Sequence, residues 1–181
     1  MKVTTPKLIR WAGLSAVVAG IIFTAIEPTH PSINTSTFVI ITSLKTSISI
    51  FGLLGITGLY ARQVEETGWL GLAGYLMLTI FYAVQMCFAF AEPLILPLLT
   101  TEAPKFVESF LGAASGAGGP VNLEALGTIY SLLPILYLLG LLLFGIAIFR
   151  AGILSRGAAG LFAFSGPLAI IMVQLLPHQL E

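Results

Sequence analysis

The chain has 181 residues, of which 57% are hydrophobic and only 9% charged, against roughly 45–50% and 25% in ordinary soluble domains. A water-soluble fold of this length has too little interior to hide so much apolar surface, and a formal net charge of zero argues against a nucleic-acid partner. Cys87 is the single cysteine, which rules out an intrachain disulfide and any clustered thiolate metal or iron–sulfur site.

Five apolar stretches are long enough to cross a hydrocarbon core of about 30 Å, which takes about 20 helical residues each. They fall at 8–26, 38–60, 69–91, 123–149 and 157–176, with a long outer connection over 92–121. The chain therefore reads as all-α, a polytopic membrane helix bundle forming one domain over residues 1–181. The first stretch has the basic flank and apolar run of a signal peptide. Phe23, two before Ala25, spoils the small-residue cleavage pattern, so retained helix is expected. Ala12, Ala16, Gly20 and Thr24 recur at four-residue spacing and predict close approach of a neighbouring backbone; Gly52, Gly55 and Gly58 predict the same for the second helix.

Charge sets the expected sidedness. Lys2, Lys7 and Arg10 precede the first helix, Arg62 follows the second, and Arg150 and Arg156 flank the turn between the fourth and fifth, whereas the opposite connections carry only Lys105. That asymmetry places the N-terminus in the cytoplasm and the C-terminus outside. Trp11, Tyr60 and Trp69 then sit at the cytoplasmic ends, where amphipathic rings prefer the headgroup layer.

In the outer connection, Pro93 and Pro97 are expected to break the third helix. Residues 104–111 form a short helix with Phe106, Val107, Phe110 and Leu111 on one side, serving either as a surface lid or as a tether packed on the bundle. Residues 112–120 read as a flexible linker, and Asn122 with Glu124 as the cap of the fourth helix. Pro134 and Pro167 predict bends in the fourth and fifth helices. Laid without gaps on the fourth and fifth helices, the second and third pair Tyr60 with Phe149, Gly68 with Gly157, Gly71 with Gly160, Val84 with Val173 and Gln85 with Gln174. A parallel repeat would give this pattern, and so would chance among abundant Gly, Leu and Val.

Lys45 is the one charge well inside an apolar stretch, and intramembrane charge is costly enough to mark function by default. Thr42, Ser49 and Gly52 share its helical face, which predicts that the face points inward. Glu27 and Glu92 end the first and third helices on the outer side and are candidate partners for Lys45; the alternative is that Lys45 snorkels to the interface. Gln85 and Gln174 are candidate ligand contacts, with hydrogen bonding inside the bundle as their simpler use. His30 and His178, with Glu27 and Glu92, supply enough imidazole and carboxylate for a zinc-like ion at the outer face. Both histidines stand beside prolines, as ordinary interfacial residues do. No other cofactor is expected, since there is no Gly-rich phosphate loop, zinc-binding His-Glu-x-x-His helix or Gly-x-Ser-x-Gly nucleophile turn.

The stretch LLFGIAIFRAGILSRGAAGLFAFSG over 142–166, together with LIRWAGLSAVVAGIIF over 8–23, resembles uncharacterised bacterial multi-pass proteins of the DUF4386-like type. The resemblance implies a bacterial inner-membrane protein and brings no activity or site residues. Three readings of function follow. The first is a binding or transport protein holding a small amphipathic or anionic ligand near Lys45, Glu27 and Glu92. The second is a metal-assisted intramembrane enzyme. The third is a structural or regulatory subunit whose small-residue faces dock a partner helix, and an unpacked stripe of Ala12, Ala16 and Gly20 would favour it. A homo-oligomer would add lining residues to a site among so few helices.

Overall fold

A computed structural model describes residues 4–26, 29 and 31–175, with residues 114, 115 and 167–175 described by backbone only. The described residues are helical throughout apart from short connections. The helices are α1 Thr5–Ile26, α2 Ser36–Ala61, α3 Val64–Glu102, α4 Pro104–Ser115, α5 Ala125–Ala151 and α6 Arg156–Leu175. By length and composition, α1, α2, α3 and α5 are each able to cross a membrane.

The helices pack as a row. Among the described residues α1 lies on α2 alone, α2 on α3, α3 on α5 and α5 on α6, while α4 touches α3 and α5. Small residues set each junction. A Cβ on Gly55 or Gly58 would stand 2.7 or 2.1 Å from the Cβ of Ala16 or Ala12, so the expected stripe on α1 is already filled by α2 over that part; Gly20 has open space around it. Gly52 turns instead to α3, where a Cβ would meet the Tyr82 ring at 2.6 Å. Gly74 of α3 admits the backbone of Phe144, and Gly145 of α5 admits Ala163 of α6. These contacts make neighbouring helices antiparallel, which gathers Lys7, Arg10, Arg62, Arg150 and Arg156, with Glu65 and Glu66, at one net basic end and Glu102, Lys105, Glu108 and Glu124 at the other.

Trp11 and Trp69 at the basic end are 67% and 85% exposed, as rings of an interfacial belt should be. Tyr60, at the same end of α2, is half-buried: it stacks on Tyr75 with centroids 4.4 Å apart, and both rings tilt against the fully buried Phe144.

Pro93 and Pro97 do not break α3, which runs on through both to Glu102. In water an interior proline costs about 3 kcal/mol. In an apolar medium an unwound segment would strand several backbone groups rather than one, so the helix persists. Pro93 is itself buried, and the Thr100 hydroxyl donates to the Pro97 carbonyl at 2.8 Å. The break comes at the other end, where Gly68 (φ 57°, ψ −156°) separates a first turn from the rest. From there α3 rises about 51 Å, well past a core of about 30 Å. Its C-terminal end supports α4, whose Val107 and Phe110 are buried with Leu96 in a cluster flanked by Phe88, Leu126 and Tyr130.

The glycine-rich connection is no loose linker either. It folds back on α4 through a left-handed Gly116, with the Ala117 and Gly118 amides donating to the Gly112 carbonyl. Gly119 lies so close that a Cβ there would stand 2.3 Å from the Ser109 Cα; the buried Ser109 hydroxyl accepts from the Val121 amide at 2.8 Å. Glycines that look permissive in the sequence are here the means of close backbone approach.

At the start of α5 the capping differs from expectation. Asn122 Oδ1 accepts from the Glu124 amide at 2.9 Å, and Glu124 occupies the cap position at φ 48°, ψ −121° without a side-chain cap bond. Such a backbone suits glycine, so Glu124→Gly is expected to stabilise by about 1 kcal/mol. A rise in thermal midpoint in mild detergent checks this; a fall would mean that the carboxylate compensates the strain.

Candidate functional site

The half of the row away from the basic end gathers polar and aromatic side chains from α2, α3 and α5. Contacts of Gly52 with Tyr82 and of Tyr60 with Tyr75 fix the register of α2 on α3, so that Ser49 comes level with Gln85, and Lys45 with the turn from Ala89 to Glu92. Rings fix α5 in the same way: Phe81 lies 4.6 Å from Tyr137, and Phe88 4.6 Å from Tyr130. Glu92, half-buried on α3, thereby stands between two elements. The Lys45 ammonium acts on it from α2, and its own charge reaches Tyr130 on α5. Among the described residues neither Lys45 nor Glu92 forms an ion pair within 4.0 Å, so they interact across a gap.

Beside Tyr130 lies a wide, open pocket of about 590 Å³, most of whose lining residues are exposed. Its roof is α4 and the glycine-rich loop, through Ser109, Ala113 and Gly119; its floor is the α5 face carrying Gly127, Tyr130, Ser131 and Pro134. Pro134 has no amide hydrogen, so the Tyr130 carbonyl loses its helical donor beside this space. The Phe110 ring of α4 packs edge-on against Tyr130, 5.4 Å away, outside the lining. The lining offers hydroxyls, an amide and apolar surface, and no charged side chain is among it. A body of apolar groups with a neutral hydrogen-bonding head suits such a space.

The structure brings together only part of the set anticipated from sequence. Thr42 and Ser49 are buried on the Lys45 face, but their hydroxyls donate within α2, to the carbonyls of Phe38 and Lys45. Lys45 and Gln85 are half-buried and lie outside the pocket lining. Gln174 belongs to the last turn of α6, with its side chain not described. Glu27, His30 and His178 lie outside the described residues, so Glu92 is the one described member of the four-residue metal set. Among the described residues no three His, Cys, Asp or Glu side chains cluster as metal ligands.

Tyr130 is the residue that sequence reading missed. A signal exists: Phe81 and Phe88, and likewise Tyr130, Tyr137 and Phe144, recur at seven-residue spacing, which keeps aromatics on one helix face. Two such faces on α3 and α5 predict the ring pairs that hold Tyr130 in place. No family model, no curated protein and no solved structure matches the chain.

Proposed function

We propose that the protein spans the membrane five times, with α6 as the fifth span and the basic end in the cytoplasm of a bacterial cell. In this reading it binds or carries a small amphipathic molecule in the pocket beneath α4. The observation that carries the reading is the 590 Å³ space walled by Tyr130, Ser131 and Pro134. Of the two ligand classes anticipated, the neutral amphipath fits better than the anion, because Lys45 stands behind Tyr130 and Glu92 rather than in the lining. Lys45 and Glu92 then act as a charge pair that attracts α2 to α3 across a gap.

Kinship between the hairpins α2–α3 and α5–α6 is part of the same proposal. A shift of 89 residues carries Ser36–Ala61 onto 125–150, within one residue of α5 as observed. Their packing has diverged: Tyr60 stacks on Tyr75, whereas Phe149 and Phe164 at the matching positions are exposed.

The test is native mass spectrometry of protein purified in mild detergent, on the parent and on Ser131→Trp. Ser131 is exposed, so the indole enters the pocket without disturbing a packed junction. Retention of a small amphipath is expected to fall at least tenfold in the variant, with the thermal midpoint unchanged. Equal retention would overturn the assignment of this pocket. Stoichiometric zinc in the parent, lost on replacing His30 or His178, would instead establish the metal-assisted enzyme.

A further inference from the structure

The basic end of α1 carries a second surface that the pocket beneath α4 does not involve. Ile9, Ala12 and Ala16 face α2, at Gly58 and Gly55. Lys7, Arg10, Trp11 and Leu14 lie on the opposite side of the helix and form one exposed face. Val17 and Ile21 continue the stripe, and Trp11, Leu14, Val17 and Ile21 are each half or more exposed.

Local stability does not explain the two cations. The first turn of a helix favours negative charge, yet Lys7 and Arg10 stand in the first two turns of α1 with no acidic residue in the first turn. No Asp or Glu precedes Ile26 in the chain, α2 contains none, and α1 touches no other described helix. The acids described at this end, Glu65 and Glu66, open α3, which α1 does not touch, so helix dipole, lysine and guanidinium present positive potential at one point with no acid on α1 or on the helix it packs against. Below them Arg10 to Ile21 spans about 16 Å, close to half of a hydrocarbon core.

We infer that this face of α1 is a binding site for an anionic phospholipid, with the phosphate held by Lys7 and Arg10, Trp11 at the glycerol level, and one acyl chain along Leu14, Val17 and Ile21. The charge supplies selectivity over a zwitterionic lipid, and the apolar stripe supplies the preference for a lipid over a free phosphate. The site needs only that α1 crosses the membrane, so its failure and failure of the pocket assignment are separable.

Fluorescence quenching tests it on the full chain. Trp69→Phe leaves Trp11 as the only tryptophan. The protein is reconstituted in phosphatidylcholine vesicles that contain a minor fraction of dibrominated phosphatidylglycerol or, in parallel, of dibrominated phosphatidylcholine. With both leaflets alike, the direction of insertion does not matter. Quenching by the anionic lipid is expected to report an association constant on the order of fivefold higher per cation, or roughly 25-fold in all. Lys7→Gln with Arg10→Gln is expected to bring the two lipids to parity, and added salt to shrink the preference in the parent. Lys7→Arg with Arg10→Lys, which keeps both charges, should retain it and serves if the neutral variant fails to insert. Equal quenching by both lipids in the parent, a preference that survives loss of both charges, or relief of quenching by inorganic phosphate at matched concentration would each overturn the site.

Discussion

Replacing Gly74 by alanine is expected to cost at least about 3 kcal/mol, at the upper end of what overpacking does in a tight interior. A Cβ at that position would stand 2.4 Å from the Phe144 amide nitrogen and 2.8 Å from its Cα. Both are backbone atoms of a helix, so no rotamer change relieves the clash and α3 must move off α5. That junction is the only direct one described between α1, α2 and α3 and the pair α5 and α6, with α4 as a smaller bridge at one end. Loss should therefore appear as a large fall in thermal midpoint together with a broader elution profile in detergent. Gly13→Ala is the control, because a Cβ there meets nothing within 4 Å and alanine is the better helix former. A Gly74→Ala protein as stable as the parent would sink the row architecture at its centre.

What the sequence made legible follows from physics that acts over one helix at a time. Uninterrupted apolar runs marked α1, α2, α5 and α6 to within three residues at every described end, because length and hydropathy alone set those limits. The face of α4 was legible too, since Phe106, Val107 and Phe110 repeat at helical spacing. Features depending on two elements at once were not. Pro93 and Pro97 read as breakers because the rule is calibrated in water, where an unwound backbone finds new partners. Residues 112–120 read as flexible because a glycine needed for contact with Ser109 looks the same as one needed for freedom. The pocket escaped notice for a related reason: its roof is largely backbone, and its one aromatic wall, Tyr130, resembles a belt residue near a helix end. Thr42 and Ser49 were placed correctly on a buried face, but burial was mistaken for availability, since each hydroxyl already bonds its own helix.

The Lys45 and Glu92 pair yields the second large effect. Removing one charge leaves the other half-buried in a medium that solvates it poorly, so Lys45→Met and Glu92→Gln are each expected to destabilise. A directly bonded buried pair would lose about 3–5 kcal/mol on breaking; partial exposure and the gap between the groups reduce this to about 1–3 kcal/mol here. The double variant buries no uncompensated charge and should recover most of the loss, which makes the coupling energy of the cycle the decisive quantity. Ligand retention separates structural from binding roles. Because Lys45 lies outside the pocket lining, Lys45→Met should lower the thermal midpoint while retention falls by less than it does in Ser131→Trp. If the two single losses instead add, with no recovery in the double variant, Lys45 faces water or lipid on its own. Were Lys45→Met to abolish retention at unchanged stability, the ammonium would belong to the ligand, and an anion would replace the neutral amphipath as the expected cargo.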